Sequence, residues 1–313
     1  MLPPVRSETA QRLSRPLLRA QLRRSVPRDA LAVFARGPAE FVDMARASRS
    51  VFLVKDWTPA GAALMGRDEA SLEHELLSMC RRVDVVCAVT EALRATLGER
   101  GVESVLLRHG FAAETAESFD GAEVPADLRE LPRPLLGYAG RVDDRLDWDA
   151  LRRLAERMPE ATVVLIGPLS PRLPAASLAA VERLPNLHLL GQRDRAELPA
   201  YLAALDCCLL PYRAGVWGAH GSPLKLWEYL YAGAPIVGTG YEVLREYAEF
   251  VDYESSAGLP DAVARAVGAV TPGDVERRRR FALENTWDHR AAELLRLAGT
   301  PAAQAGAAPA AAG

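Results

Sequence analysis

Short apolar runs alternate with stretches of helical periodicity along most of the chain, a pattern typical of strands alternating with helices. In the first third, the apolar runs fall at residues 29–34, 50–54, 83–89 and 104–107. The helical stretches between them fall at 39–47, 67–81 and 91–99. Strands that alternate with helices form βαβ units, so the pattern predicts a mostly parallel sheet.

The alternation returns more regularly after residue 134. Six strands are predicted, at 135–139, 162–166, 187–190, 206–210, 235–237 and 250–252. The helices between and after them are predicted at 148–158, within 174–184, and at 196–204, 223–232, 243–248 and 259–270. Six strands with intervening helices predict one complete doubly wound domain.

The two halves are separated by a stretch of different character. Residues 110–133 are polar, acidic and punctuated by proline, which is typical of a linker between domains. The first half has about four strands and no opening strand with a glycine turn near Met1, so its domain is predicted to be incomplete. The predicted organisation is a partial Rossmann-like domain (1–120), a linker (121–133), a Rossmann-like domain (134–272), two terminal helices (273–298) and a disordered Ala/Gly/Pro tail (299–313).

Charge and composition exclude several classes of protein. The chain has 313 residues, and 38 basic against 41 acidic side chains give a net charge of 38 − 41 = −3. A dedicated nucleic-acid binder would carry a basic face, so no nucleic-acid partner is expected. With 49% hydrophobic and 25% charged residues, the chain as a whole is globular rather than disordered.

The sequence also indicates a compartment. No apolar run approaches the ~18–20 residues of a membrane-spanning helix, and the N-terminus lacks the apolar core of a secretory signal. The four cysteines form no CxxC pair, and adjacent Cys207 and Cys208 lie in an apolar strand, which favours a reducing cytoplasm. Residues 8–24 are predicted to form an arginine-rich amphipathic helix, whose basic face is either solvated or in contact with a partner or with the inner face of a membrane.

Two remote segments are predicted to meet at the ligand edge of the second domain. In an open parallel sheet, ligands bind beyond the carboxyl ends of the strands where the strand order reverses, here between the first and fourth strands of the domain. The first strand is followed by Arg141 and Arg145, and the fourth by a glycine-rich loop, 214–221, that leads into the helix carrying Lys225. The topology therefore predicts three cations in one crevice.

The start of that helix indicates an anion site. Ser222 is a plausible N-cap and Pro223 suits the first helical position. A lysine in the first turn opposes the helix dipole, which favours anions there by ~0.3–1 kcal/mol. Lys225 therefore suggests a bound anion that both the lysine charge and the helix N-terminus attract. Glu228, on the same helix face, is suited to accept hydrogen bonds from sugar hydroxyls. The alternative interpretation is an ordinary surface pair between Lys225 and Glu228.

Six motifs then resemble a known family, in the family's own order. They are Gly137-Tyr-Ala-Gly-Arg141, Val164-Leu-Ile-Gly167, Leu187-His-Leu-Leu-Gly191, Leu198-Pro-Ala-Tyr201, Asp206-Cys-Cys-Leu-Leu-Pro211 and the block from Ser222 to Val237. This order resembles GT-B glycosyltransferases of the retaining, glycogen-synthase-like group, over about residues 135–297. Within that group the chain is similar to bacterial transferases of cell-wall and exopolysaccharide synthesis, including the teichuronic-acid type.

The resemblance implies roles for particular residues. Arg141 and Lys225 match the diphosphate-binding pair, Glu228 matches the glutamate on the nucleotide ribose, and Gly191–Arg193 matches the loop that meets the base. Two departures are a histidine, His220, where the family often has a second glutamate, and the absence of a lysine after Arg141, for which Arg145 is the substitute.

The first-domain match is weaker. Asp56 ends a strand that resembles the one facing the cleft, and Arg108-His109-Gly110 resembles the family's hinge. The segment beginning at Trp287 resembles the final helix that crosses back to the first domain. The predicted catalytic residues are Arg141, Lys225 and Asp56, and the predicted substrate-binding residues are Gly140, Arg145, Gly191, Gln192, Arg193, Tyr212, Ser222, Leu224, Glu228, His109 and His220.

The fold class implied is α/β and GT-B-like, with two Rossmann-like doubly wound domains facing a cleft, the first incomplete. The function implied is transfer of a sugar from a nucleoside diphosphate sugar to a glycan or lipid-linked acceptor of the cell envelope. The resemblance implies a retaining reaction with no cofactor and no metal, and fixed cations balancing the leaving diphosphate. Two alternatives stay open: a non-catalytic sugar-nucleotide-binding subunit, and a UDP-sugar epimerase of the same architecture.

Overall fold

The protein is described by a computed structural model. The structure describes residues 16, 19–21 and 24–299, apart from 172, 174–178, 180–182 and 216–219. The chain divides into two compact units: the first contains the residues up to Arg108 and those from Ala291 onward, and the second runs from His109 to Arg290.

The first unit contains a four-stranded parallel sheet. Its strands are β1 (Leu31–Phe34), β2 (Arg49–Val54), β3 (Val85–Ala88) and β4 (Val105–Leu106). They lie side by side in chain order, so the strand order does not reverse within the described part of this sheet. Its helices are α1 (Glu40–Ala45), α2 (Ala62–Met65), α3 (Glu69–Cys80) and α4 (Glu91–Glu99), and a 3-10 helix covers Thr58–Gly61. All four predicted strands and three predicted helices of this half are present.

The core of the first unit lies between the sheet and its helices. Phe52 and Val54 of β2 pack with Leu76 and Met79 of α3. Asp68 caps the first turn of α3 and Thr90 that of α4, each accepting a hydrogen bond from a backbone N–H three residues on. Helix α4 therefore begins at the predicted residue, whereas the Asp68 cap starts α3 at Glu69, two residues after the predicted start.

The second unit contains a six-stranded parallel sheet. Its strands are β5 (Leu135–Ala139), β6 (Thr162–Ile166), β7 (Leu187–Gly191), β8 (Cys207–Pro211), β9 (Ile236–Thr239) and β10 (Val251–Tyr253). They lie in the order β10-β9-β8-β5-β6-β7, so the order reverses between β5 and β8. This is the predicted doubly wound order, and the predicted reversal point is confirmed.

Helices cover the sheet of the second unit. They are α5 (Ala126–Arg129), α6 (Trp148–Arg157), α7 (Leu198–Ala203), α8 (Lys225–Ala232), α9 (Leu259–Val267) and α10 (Pro272–Leu283), and α11 (Trp287–Leu297) runs from this unit into the first. Two 3-10 helices, Ala113–Ser118 and Glu242–Tyr247, complete the described elements. Residues 135–139, 162–166 and 207–211 are buried throughout, which places these three strands at the centre of the core.

The segment predicted as a linker is part of the second unit. Phe111, Phe119 and Leu128 are buried in the same core as the sheet. The ring of Phe111 stacks on Tyr231 of α8 with centroids 4.7 Å apart, and Phe119 meets the same ring at 5.2 Å. The linker prediction for 121–133 was wrong, because widely spaced apolar residues in a polar stretch carry no periodic signal yet anchor it firmly.

The C-terminal segment returns to the first unit as the family likeness implied. Leu294, Leu297 and Ala298 pack with Val51 and Cys87 of the first sheet. Within the described residues, no helix is both long and apolar enough to cross a membrane. Most of the predicted basic helix at 8–24, most of the helix within 174–184 and the tail from 300 onward lie outside the described residues.

Candidate functional site

Two loops are joined at the carboxyl edge of the second sheet, where the strand order reverses. The loop after β5 bonds directly to the end of β8: Asp147 N–H donates to Pro211 O, and Arg213 N–H donates to Arg145 O, both at 2.8 Å. Leu146 and Tyr212 form an antiparallel bridge between the same segments. The two remote segments therefore meet as the sequence predicted.

A glycine lets the Lys225 side chain reach the end of β5. Gly140 has φ +147°, and a Cβ built on it would lie 2.2 Å from Lys225 Nζ. The ammonium therefore contacts the backbone one residue before Arg141. This juxtaposition agrees with the predicted convergence of the two cations, while their role in binding remains a prediction.

The helix that carries Lys225 is pinned to the same strand. The hydroxyl of Tyr229, a fully buried residue of α8, accepts a hydrogen bond of 2.7 Å from Ala139 N–H. Because this bond joins the first turns of the helix to the last residue of β5, it fixes the height at which Lys225 meets Gly140. Tyr229 was not among the predicted site residues.

The Lys225 ammonium lies in an aromatic environment. Its Nζ is 3.8 Å from the ring centroid of Tyr138 and 5.5 Å from that of Tyr212. Among the described residues it has neither a hydrogen bond nor an ion pair. Burial, with a smaller effect of the Arg145 charge, lowers the pKa of Lys225 to about 7, although Glu228 and Asp143 act in the opposite direction. Among the described residues, the Lys225 ammonium therefore lies against two aromatic rings rather than against an anion.

Arg141 supplies a second cation at this edge. Its side chain is exposed, and no partner for its guanidinium is found in the described part of the chain. Its backbone carbonyl accepts a 3.0 Å hydrogen bond from the hydroxyl of Tyr138. The ring of Tyr138 thus lies against Lys225 while its hydroxyl holds the backbone of Arg141.

Arg145 differs from the other two cations because it already has an anion. Its Nε lies 3.1 and 3.0 Å from the two carboxylate oxygens of Asp143, and its Nη2 lies 2.8 Å from one of them. Burial opposes the charge of Arg145, but the hydrogen bonds and charge of Asp143 outweigh it and raise its pKa. The predicted contact of Arg145 with a substrate anion would therefore compete with Asp143.

The helix after the glycine-rich loop begins later than predicted. Helix α8 starts at Lys225, Leu224 occupies the N-cap position, and no side chain caps it. Leu226 N–H and Trp227 N–H bond to the carbonyls of Pro223 and Leu224, three residues back, so the entry is a tight turn rather than a side-chain cap. The prediction of Ser222 as N-cap was wrong. Leu224 is 55% exposed, an apolar side chain at the rim of the site.

Glu228 follows in the first turn of α8 as a half-buried carboxylate. Burial raises its pKa, while the charges of Arg195 and Lys225 lower it. It makes no hydrogen bond or ion pair with any other described residue. A carboxylate left available in this way suits a ligand that donates hydrogen bonds.

The loop after β7 is held by a residue that precedes the domain predicted at 134–272. Arg193 Nη2 lies 2.7 Å from a carboxylate oxygen of Asp127, and its Nε donates to the Tyr201 hydroxyl at 2.7 Å. Asp127 lies in α5, within the segment predicted as a linker. The side chain of Arg193 is therefore engaged, whereas Gln192 beside it is exposed.

Three other predicted residues fall in different places. His109 is buried, with its ring 5.8 Å from that of Trp287 in an edge-to-face contact. His220 is partly buried and follows the undescribed residues 216–219. Asp56 is exposed in the first unit just after β2, where it lines a pocket of about 250 Å³ with Lys55 and Thr58.

The rarity of lysine in this chain also marks Lys225, independently of the motif spacing. Of the 38 Lys and Arg residues, only two are lysines, Lys55 and Lys225. At Lys225 a compact ammonium fits against a glycine and an aromatic ring, where the larger planar guanidinium of arginine would not fit in the same way. Tyr138 itself carries no such signal, because its strand is apolar throughout.

Part of the second unit matches a known protein family. The family model described as "Glycosyl transferases group 1" matches residues 133–270, which contain all six strands of the second sheet together with Arg141, Lys225 and Glu228. Residues 133–270 are a Glycosyl transferases group 1 domain.

A curated relative adds to the group 1 match. The chain is 28% identical over 173 residues to the "Putative teichuronic acid biosynthesis glycosyltransferase TuaH" of Bacillus subtilis (strain 168). The match covers 53% of this chain and 43% of that protein, so the chain matches less than half of the relative's length.

Solved structures extend the likeness beyond the group 1 domain. A UDP-forming α,α-trehalose-phosphate synthase from Burkholderia xenovorans has a TM-score of 0.69 at 18% identity, over 95% of this chain and 80% of that one. An E. coli structure described as bound with UDP-2-fluoro glucose has a TM-score of 0.70 at 15% identity, over 93% and 78%. At these identities the likeness shows the fold alone, and it is the GT-B fold predicted from the sequence.

Proposed function

We propose that this protein is a glycosyltransferase that moves a sugar from a nucleoside diphosphate sugar to a glycan or lipid-linked acceptor in cell-envelope synthesis. The observation that carries the proposal is the unpaired ammonium of Lys225, held against Gly140 beside the exposed Arg141 at the reversal point of the sheet. Two cations that meet no anion in the described part of the chain, next to a helix start without a side-chain cap, suit a diphosphate.

The remaining groups fit the rest of such a donor. Glu228 has a carboxylate available for the ribose hydroxyls, and it lies three residues from Lys225 on one helix face. The loop after β7, fixed by the ion pair between Arg193 and Asp127, offers its backbone and the exposed Gln192 to the base. Leu224 offers an apolar surface at the rim. These contacts are part of the proposal.

The chemistry follows from where charge develops. As the bond between the sugar and the diphosphate breaks, negative charge grows on the leaving phosphate oxygens. Lys225, Arg141 and the backbone N–H groups at the start of α8 are fixed donors for that charge, and we propose that they balance it without a metal. We propose retention of configuration and an envelope acceptor from the likeness to the group 1 family and to a teichuronic acid biosynthesis glycosyltransferase.

A panel of nucleotide sugars tests the proposal. We expect one member of a UDP-, GDP-, ADP- and dTDP-sugar panel to raise the melting temperature of the protein, because a ligand at about 100 times its Kd adds about 2.7 kcal/mol of stability. Product analysis with the binding donor then separates transfer to an acceptor from epimerisation of the free donor. No shift with any of the four nucleotide classes would contradict the proposal.

Gly140→Ala is expected to impair donor binding more than folding. An alanine Cβ would collide with Lys225 Nζ, which can swing away because it is the end of a flexible side chain. The left-handed φ of +147° adds a strain of about 1–3 kcal/mol. We therefore expect at least a tenfold rise in donor Kd by calorimetry, with a cooperative melt retained.

A matched control for Gly140→Ala is Gly121→Ala. Gly121 also has a left-handed φ, +74°, but a Cβ there would meet nothing within 4 Å. Alanine there also meets a left-handed backbone, but away from the site, so the donor Kd of this variant should stay within twofold of wild type. Equal effects of the two variants on donor affinity would show that backbone strain, rather than the position of Lys225, governs binding.

A further inference from the structure

We propose that Tyr138 is a positioning residue that holds both cations of the donor site, Lys225 through its ring and Arg141 through its hydroxyl. The inference rests on the proposed function, since it concerns the binding of the same donor. Tyr138 lies on β5, two residues before Gly140, and is fully buried. Its side chain reaches Lys225 and the Arg141 carbonyl but not solvent, so it would act only through the two residues it holds.

The ring of Tyr138 lies against the ammonium of Lys225. Lys225 Nζ is 3.8 Å from the ring centroid, a distance at which the negative face of the ring attracts a cation. A free lysine side chain loses rotamer freedom when it is fixed in one place. Because Lys225 has no anion among the described residues, the ring and the contact with Gly140 are what define its position before a donor arrives.

The hydroxyl supports the second cation through the backbone. It donates to the Arg141 carbonyl at 3.0 Å, which fixes the peptide group between Arg141 and Val142. Burial raises the pKa of the Tyr138 hydroxyl well above its ordinary value, so it remains a donor at any physiological pH. The direction in which Arg141 leaves the strand is therefore set by the side chain that also supports Lys225.

The ring of Tyr138 is itself held by other aromatic rings. It meets Tyr212 edge to face with centroids 6.1 Å apart, and Tyr212 stacks on Tyr241 at 4.1 Å. The Tyr212 carbonyl also accepts a 2.8 Å bond from the Thr239 hydroxyl of β9. The contacts that hold Tyr138 thus come from three neighbouring strands. Lys225 and Arg141 are therefore held in place before a diphosphate binds.

Two double-mutant cycles on the full chain, read out as donor Kd by calorimetry, test the ring and the hydroxyl separately. Tyr138→Leu removes both, and we expect it to weaken binding about tenfold in the wild-type protein but only about threefold, the share of the hydroxyl, in a Lys225→Met background. Tyr138→Phe keeps the ring and removes the hydroxyl, and we expect a loss of about threefold that disappears in an Arg141→Ala background. A purely structural role would give the same loss in both backgrounds.

A control variant removes a comparable hydroxyl elsewhere in the same domain. The hydroxyl of Tyr231, on α8, donates to Asp120 at 3.4 Å, and its ring packs against Phe111 and Phe119 rather than against Lys225. Tyr231→Phe should leave donor affinity within twofold of wild type. If Tyr138→Phe and Tyr138→Leu behave like this control, or if their losses add fully to those of Lys225→Met and Arg141→Ala, the assignment is overturned.

A measurement without donor separates this inference from the proposed function. The chain has two lysines, so labelling the ε-carbon of lysine gives two NMR signals. The ring current of Tyr138 should displace the Lys225 signal, and the displacement should persist in Tyr138→Phe and vanish in Tyr138→Leu, while the Lys55 signal stays in place. An undisplaced Lys225 signal in wild type overturns the inference. A displaced signal in a protein that binds no nucleotide sugar instead contradicts the proposed function.

Discussion

Lys225→Met is expected to lower kcat/KM for the donor by about 10²–10³-fold, because one preorganised donor to a developing oxyanion is worth ~2.7–4 kcal/mol. Methionine keeps most of the side-chain volume against Gly140 and the Tyr138 ring while removing the charge. The fold should be unaffected, since the ammonium makes no hydrogen bond or ion pair with any described residue. Steady-state kinetics with varied donor, together with thermal melts, measure both quantities.

The other lysine of the chain provides the control for this experiment. Lys55 lies in the first unit, and it is the sole other ammonium that a lysine contributes to the protein. Lys55→Met removes the same charge from the protein as a whole, so it corrects for any effect of net charge on donor association. Lys225→Met activity within threefold of wild type would contradict the assignment of Lys225 to the leaving group.

The second large effect is a loss of donor affinity as pH rises above 7. In the free protein the pKa of Lys225 is lowered to about 7, chiefly by burial and then by Arg145, with Glu228 and Asp143 opposing. A bound diphosphate favours the charged form, so binding above pH 7 requires uptake of a proton. The ammonium is present below pH 7 and is lost above it. Since only the charged fraction is competent to bind, Kd at pH 9 should be about 50 times its value at pH 7.

Calorimetry in buffers of different ionisation enthalpy measures this uptake directly. A nucleoside diphosphate sugar is the appropriate ligand, because its phosphates do not titrate in this range. We expect about half a proton taken up at pH 7 and close to one at pH 8, by the fraction of neutral lysine at each pH. Lys225→Arg keeps its charge across the range, so its affinity should be nearly flat from pH 7 to 9. A flat profile in the wild-type protein would contradict the prediction.

The strand order of the second unit could be predicted from the sequence because each strand is a short, continuous apolar run. Residues such as Val163, Leu165 and Leu209 are buried on both faces of a parallel sheet, and such runs stand out between amphipathic helices. Once the order was assigned, the meeting of the β5 and β8 loops followed from topology alone. The convergence of Gly140 and Lys225 was therefore predictable although 85 residues separate them along the chain.

The charge pairs of the site could not be predicted in the same way. Arg141 and Arg145 are both arginines in one polar loop, yet Asp143 neutralises only Arg145. Arg193 is paired with Asp127, 66 residues earlier, in a stretch without periodicity. Side-chain partners depend on loop geometry over a few ångströms, and residue spacing does not encode that geometry. Tyr138 was missed for a related reason, since nothing in an apolar strand marks the ring that will face a cation.

The aromatic contacts of Tyr231 on α8 determine where a fragment containing the second unit has to begin. The matched family region begins at residue 133, but Phe111 and Phe119 lie before that point and cover Tyr231. A fragment that starts at residue 133 would expose the ring of Tyr231 to water. It would also remove Asp127, the carboxylate that pairs with Arg193. An excised second unit should instead start at His109, where that unit itself begins.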